Sequence, residues 1–247
     1  MRVVVITAVW RRHQIMRAFW AFCGHLREWW GEHEVLAAVA GSQDPEHEAM
    51  AREWGALYVD VPNNPLGRKF NAALQAARTL EPDIVLLMGS DDVFSREVAE
   101  AYRPHFTRDA YVGLRDLYFY QTETGAMGYW PGYPAGPRWG EPAGCGRLIG
   151  RRWLEAVTWH PWDDAQQNCL DYVSNRAFAA AGAPHFALLG LEQTGGCAVD
   201  CKSAVNLWGI ERIVRSLLGH PSRDALLAKL PTDMLAILLP LRQRQAA

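Results

Sequence analysis

The chain opens on a continuous β-branched run, Val3-Val4-Val5-Ile6-Thr7, and apolar residues at helical spacing follow at once: Ile15, Phe19, Phe22, Leu26 and Trp29. An uninterrupted apolar run reads as a strand buried on both faces, and the 3.6-residue period after it as an amphipathic helix of about four turns. The alternation then repeats. Val35 to Ala40 reads as a second strand, and Asp44-Pro45-Glu46 supplies an N-cap, a first-turn proline and a dipole-favouring acid for a helix carrying Met50 and Trp54. Leu57 to Val61 reads as a third strand, stopped by Pro62-Asn63-Asn64-Pro65. A helix with Phe70, Leu74, Ala77 and Leu80 on one face follows, then an apolar strand from Asp83 to Met88. Strand-helix alternation on short connections predicts a mixed, mostly parallel α/β sheet with helices on both faces. In such sheets ligands bind beyond the carboxyl ends of the strands, which singles out the loops Ala8 to Arg12, Gly41 to Asp44 and Gly89 to Asp92.

The second half changes character. Tyr111 to Gly113 and Leu117 to Gln121 read as strands, with Thr124-Gly125 turning the chain back through Met127 and Tyr129. Pro131 to Gly146 is dense in Gly and Pro, a length of irregular chain usually kept for lids and binding loops. Arg147 to Ile149 returns to strand, and Leu170, Val173, Ala177 and Phe178 mark a helix closed by Gly182 and Pro184. The organisation expected is one domain over 1–202, with a first half over 1–106 and a second over 107–202. A helical extension is expected over 203–247, where the apolar segment Met234 to Leu241 packs on the body.

Lys+Arg 25 against Asp+Glu 27 gives a net charge of −2, which lacks the basic excess of a duplex-wrapping protein. No stretch reaches the roughly 20 apolar residues of a membrane span. The N-terminal apolar run meets Arg11, Arg12 and His13 at once, unlike a signal peptide. Five scattered cysteines fit free thiols in a cytoplasmic protein. Cys197 and Cys201 are spaced as a metal pair, but no second pair completes a zinc site, and two buried thiols are the simpler reading.

Gly89-Ser90-Asp91-Asp92 is the sharpest motif. Two adjacent carboxylates straight after a buried strand are costly unless a cation joins them, and Mg²⁺ or Mn²⁺ bridging to a diphosphate would do so. The ordinary alternative is that one of them caps a following helix. Upstream, Asn64-Pro65-Leu66-Gly67-Arg68-Lys69-Phe70-Asn71 precedes the pair by one helix and one strand. Together these segments resemble the core of nucleotide-sugar glycosyltransferases of the GT-A fold, especially family 2. There a Gly, a basic residue two positions on and an Asn open the helix before an acidic motif of D-x-D kind. The resemblance implies that Gly67, Lys69 and Asn71 fill those places, that Asp92 contacts the metal and that Asp91 contacts the sugar or ribose. It further implies a donor site taking in Thr7, Ala8, Trp10, Ser42, Lys69 and Asn71, in which Trp10 is a candidate to stack on a base. The acids with which the family usually ends its second strand are missing here, where Val39-Ala40-Gly41-Ser42 stands.

Inverting transfer, also implied by the resemblance, needs a general base for the acceptor hydroxyl. The family often uses the Asp of a Glu-Asp pair opening a helix beyond the acceptor loop; here Leu170-Asp171 holds that place, with Arg176 after it. Asp163-Asp164 is the competing candidate. Tyr129, Trp130 and Arg147, flanking the Gly/Pro loop, are candidates for acceptor contact. The alternatives are a sugar-1-phosphate nucleotidyltransferase, disfavoured because Thr7 to Arg12 contains no Gly, and a non-catalytic nucleotide-sugar-binding protein. The acceptor (saccharide, protein or modified nucleic-acid base) is not set by any residue pattern in the chain.

Overall fold

The structure, a computed structural model, describes residues 1–133, 136–203 and 222–239. The first five strands and four helices run β1 (Arg2–Ala8), α1 (His13–Trp29), β2 (Glu34–Gly41), α2 (Pro45–Trp54), β3 (Leu57–Asp60), α3 (Leu66–Arg78), β4 (Ile84–Leu87), β5 (Asp92–Phe94) and α4 (Arg96–Tyr102). There follow β6 (Tyr111–Leu114), β7 (Leu117–Gln121), β8 (Met127–Trp130), β9 (Arg147–Gly150), α5 (Arg151–Ala156), α6 (Leu170–Ala180), β10 (Ala187–Leu189), α7 (Leu191–Thr194) and β11 (Ala198–Lys202). Two short helices, Arg223–Leu227 and Thr232–Leu238, end the described chain.

A seven-stranded sheet in the order β10-β6-β9-β4-β1-β2-β3 forms the body. Strands β1, β2, β3 and β4 pair in parallel, as do β10 and β6, while β9 runs antiparallel to both β4 and β6. The expected fold class is therefore the observed one. Its pleat explains the β-branched run: Val3 and Val5 of β1 enter the core beneath α1, while Val4 and Ile6 enter the core beneath α3. Strand β3 is an edge and is partly exposed, so it is shorter than Leu57 to Val61 and stops at Asp60.

A second, four-stranded sheet, β5-β11-β7-β8, lies beyond the carboxyl end of β4. Its strand β5 begins at Asp92 itself, and the next helix, α4, is capped at Ser95. Neither Asp91 nor Asp92 is therefore a helix cap. At the other end of the chain, Met234 and Leu238 are buried and Gln14 donates to the carbonyl of Ile237 at 2.8 Å, so this segment packs on α1 as expected. Of the helical extension expected over 203–247, residues 204–221 and 240–247, with the end of the Met234 to Leu241 segment, lie outside the described residues.

Candidate active site

At the carboxyl end of β4 the chain passes Gly89, where any side chain would have to displace both carboxylates. A Cβ there would meet Asp92 Oδ2 at 2.6 Å and Asp91 Oδ1 at 2.8 Å. The Gly89 amide instead donates to Asp92 Oδ2 at 2.7 Å. Asp92 then stands on β5 directly opposite Asp200 on β11. Like charges facing each other across an antiparallel pair are destabilising, and here Asp92 is buried and Asp200 partly buried. One oxygen from each of Asp91, Asp92 and Asp200 lies within 4.8 Å of the others.

Two cations flank the three acids. Arg12 donates to Asp91 Oδ2 at 2.7 Å and to Ser90 Oγ at 2.9 Å, and Lys202 donates to Asp200 Oδ2 at 2.7 Å. They do not cancel the charge, and Asp200 Oδ1 is buried with no hydrogen-bond partner. Burial, then Asp200 and Asp91, push the Asp92 carboxyl well above the usual range. Burial likewise lifts Asp200 to about 6 against the pull of Lys202. A lone pair with no donor, on an all-oxygen cluster of residual negative charge, fits a hard divalent cation.

These acids stand in a cleft of about 880 Å³, walled by Phe70, Phe119, Trp130, Tyr133 and Trp162. Asp171, in the first turn of α6, lines the same cleft. Its environment is the reverse of that of Asp92. Tyr133 donates to Asp171 Oδ2 at 2.7 Å, Arg138 pairs with the same oxygen, and Arg147 lies close by. Burial alone would raise its pKa, but the charge of Arg147 and the hydrogen bonds of Arg138 and Tyr133 hold it below the ordinary carboxylate value. Arg147 is buried, donates to Ser174 Oγ at 2.7 Å, and keeps an unpartnered Nε.

Other expected site residues are placed differently. Asp163 is exposed, accepts from the Ala165 amide at 2.8 Å and does not line the cleft, while Asp164 accepts from Asn71 at 2.8 Å. Tyr129 donates to Asp116 at 2.5 Å and also lies off the cleft, whereas Trp130 and Arg147 line it. The motif at the start of α3 holds loops. Gly67 admits the Asp163 carbonyl, which a Cβ would approach to 2.1 Å. Lys69 is buried, and its Nζ donates to the Val9 carbonyl at 2.5 Å and to Asn63 Oδ1 at 3.0 Å; burial lowers its pKa to about 8. Asn71 Nδ2 donates to the Trp162 carbonyl at 2.8 Å. Neither Lys69 nor Asn71 lines the cleft.

Thr7, Ala8, Trp10 and Ser42 lie at or just beyond the carboxyl ends of β1 and β2, and none of them lines the cleft. Thr7 Oγ1 and Ser42 Oγ are both buried without a partner. Arg11 covers the half-exposed Trp10 ring at 4.3 Å. The acid missing from the end of β2 has a neighbour instead. Asp60 ends β3 in register with Gly41, and its Oδ1 accepts from the Gln43 amide at 2.5 Å.

No family model matches the sequence, and no curated protein does. Among solved structures, the chain is similar to S. aureus TarS 1–349 in complex with UDP-GlcNAc, at 13% identity and a TM-score of 0.48, covering 82% of this chain and 59% of that one. It is similar to a glycosyltransferase involved in glycosylation of the major capsid of PBCV-1, at 9% identity and a TM-score of 0.45, over 87% of this chain and 98% of that one. It is also similar to 4-diphosphocytidyl-2C-methyl-D-erythritol synthase, at 12% identity and a TM-score of 0.48, over 97% of both chains. The chain spans less than two thirds of each TarS chain it matches. At such identities the chemistry of the cleft is decided by its own side chains.

Asp200 and Lys202, and the contact of Arg12 with Asp91, are what the sequence reading passed over. The signal for the first two was present: Asp200 and Lys202 are charged residues inside the otherwise apolar run Cys197-Ala198-Val199-Asp200-Cys201-Lys202. Arg12 gave less warning, since its reach to Asp91 depends on left-handed backbone at Arg11 (φ 53) and Arg12 (φ 57). Non-glycine residues enter that region at a cost of about 1–2 kcal/mol each. Among the described residues no helix is long and apolar enough to cross a membrane.

Proposed function

We propose that the protein is a family 2-like glycosyltransferase that moves a sugar from a nucleoside diphosphate to an acceptor hydroxyl, with inversion. The observation that carries this reading is the cross-strand Asp92–Asp200 pair with Asp91, bonded by Arg12 and Lys202 and lining one cleft with Asp171. Asp92 and Asp200, with Asp91 beside them, would hold Mn²⁺ or Mg²⁺. Such an ion, when bound, supplies positive charge to the diphosphate leaving group.

The remaining chemistry belongs to the chain's own side chains. Arg12 and Lys202 offset the charge that develops on the leaving phosphate. The acceptor oxygen forms the new bond to the anomeric carbon as the bond from that carbon to the phosphate oxygen breaks. The acceptor's proton passes to Asp171, which Arg138 and Tyr133 keep ionised and therefore able to accept it. Trp130 and Tyr133, in edge contact at 4.9 Å, offer an aromatic wall suited to a sugar ring or a base of the acceptor. The unpartnered hydroxyls of Thr7 and Ser42, with Ala8 and Trp10, form the nucleoside end; Lys69 serves it by holding the first loop at the Val9 carbonyl, and Asn71 holds the segment whose Trp162 walls the cleft. Its five cysteines are all free, in keeping with a cytoplasmic setting.

The test is thermal stabilisation by a panel of nucleotide sugars, with and without Mn²⁺, in wild type and Asp92→Asn. Ligand at about 100 times its dissociation constant adds roughly 2.7 kcal/mol, which a melting curve resolves. A metal-dependent shift for one donor, lost in the variant, is expected. Equal donor and metal binding by Asp92→Asn would overturn the assignment of the site.

A further inference from the structure

We infer that the acceptor is a phenol: a flat aromatic ring lodged against the aromatic walls of the cleft, with its hydroxyl at Asp171. The inference rests on the glycosyltransferase reading and narrows it. Trp130 sits opposite Leu117 where β8 pairs with β7, and Phe119 lies two residues on from Leu117. Alternation along the strands brings all three to one face of the second sheet, and all three line the cleft. Trp130 meets Tyr133 at 4.9 Å with the ring planes 86° apart. Rings so crossed make a corner, one side a ring face and the other a ring edge. A third flat ring fills such a corner by stacking on the one and meeting the other edge-on. Phe70 and Trp162, whose rings lie 5.4 Å apart, bring further aromatic surface to the same cleft.

The corner is tied to the base. Tyr133 donates to Asp171 Oδ2 at 2.7 Å, and Arg138, which pairs with the same oxygen, covers the Tyr133 ring at 3.7 Å. A ring lodged beside Tyr133 therefore lies within reach of Asp171.

The walls alone would take a sugar ring or a base as well, and two further observations favour a phenol. The first is that the polar side chains around the corner are already engaged. Tyr133 and Arg138 give their donors to Asp171, and Arg138 also pairs with Glu141 at 2.8 Å. Gln167 gives its amide group to the Leu66 amide at 3.1 Å and to Asn64 Oδ1 at 3.0 Å. The rim of hydroxyls on a saccharide acceptor would lose water against such groups, a cost that a ring with one hydroxyl avoids. The second is the base itself. The donors around Asp171 hold its carboxyl below the ordinary carboxylate value, which keeps it charged and makes it a weak base. A phenol has a pKa of about 10, whereas an alkyl hydroxyl is nearly as weak an acid as water. A weak base suits the more acidic hydroxyl. In the step so defined, the phenol oxygen bonds to the anomeric carbon as the bond from that carbon to the diphosphate oxygen breaks. The nucleoside diphosphate leaves with that electron pair, and the phenol proton passes to Asp171.

Full chain with Mn²⁺ and the nucleotide-sugar panel would be offered para-cresol, its isomer benzyl alcohol, cyclohexanol and methyl glucoside, with products read by mass. Para-cresol and benzyl alcohol share their atoms and their ring, so the pair separates the acidity of the hydroxyl from stacking. The kcat/KM for para-cresol should exceed that for each of the other three by at least about 100-fold. Trp130→Ala should raise the KM for para-cresol about tenfold, with the donor's melting shift unchanged. Comparison with N-acetyltyrosinamide then tells a tyrosine side chain from a free phenol as the source of the hydroxyl. Equal or better transfer to any of the three alcohols would overturn the inference and leave the glycosyltransferase reading standing. So would a KM unmoved in Trp130→Ala, or a donor that binds while both phenols stay unmodified. Absence of a melting shift with every donor would instead remove the glycosyltransferase reading, and the inference with it.

Discussion

Asp92 and Asp171 line the same cleft, are both largely removed from water, and have opposite acidities. Asp92 faces Asp200 and Asp91 and is pushed toward its neutral form. Asp171 faces Arg147, Arg138 and the Tyr133 hydroxyl and is held as a carboxylate. Burial acts on both in the same direction, so neighbours decide the outcome. The lesson is chemical. One wall of the cleft crowds carboxyl groups that resist ionising together, and the other surrounds a carboxylate with donors that keep it charged.

Four measurements would break or sharpen that contrast. The largest effect is expected from Asp171→Asn, which should lose about 10²–10⁴ in transfer rate while binding donor normally. Undiminished transfer would remove Asp171 from the base role. Asp92→Asn should cost about 10²–10³ in turnover and abolish the metal-dependent part of donor binding. Metal titration followed by donor affinity separates those two losses.

The third measurement concerns stability against pH. Asp200 rises to about 6 in the fold from an unfolded value near 3.8, so the metal-free native state binds the extra proton between them. Stability should therefore increase as pH falls from about 7 toward 4, and Asp200→Asn should flatten that rise. Asp171 has the opposite sign: its contribution is present above its unfolded value and is lost as pH falls through the lowered folded one. Denaturant melts across this range, without metal, would show both limbs. The smallest effect is that of Arg138→Gln, which removes a positive partner and should raise the Asp171 pKa. The acid limb of the kcat/KM profile should then move to higher pH by up to about one unit, and an unmoved limb would show that Arg138 does not set the acidity of the base.

Much of the body could be read residue by residue. The run Val3 to Thr7 announced a strand with two buried faces because every position carries an apolar or β-branched side chain. Asp44-Pro45-Glu46 announced the start of α2, and Asp44 does cap it. Gly89 to Asp92 pointed to acids that do line the cleft, although they lead into a strand rather than a helix. Lys69 shows the limit of such reading. Its place in the motif implied a donor contact, whereas its ammonium is buried, on the Val9 carbonyl of the first loop.

The sequence by itself determined the order of strands and helices and the end of the sheet at which ligands are expected, because periodicity and capping act between residues a few positions apart. Only the tertiary structure decided which charges meet. Asp92 and Asp200 become opposite partners through the antiparallel pairing of β5 with β11, and Arg12 reaches Asp91 through two left-handed residues. His13 meets Asp44 and His47 because β1 and β2 run in parallel and start their helices side by side. Electrostatic pairing depends on distance in space, and a linear pattern carries no record of that distance until the sheet has set it.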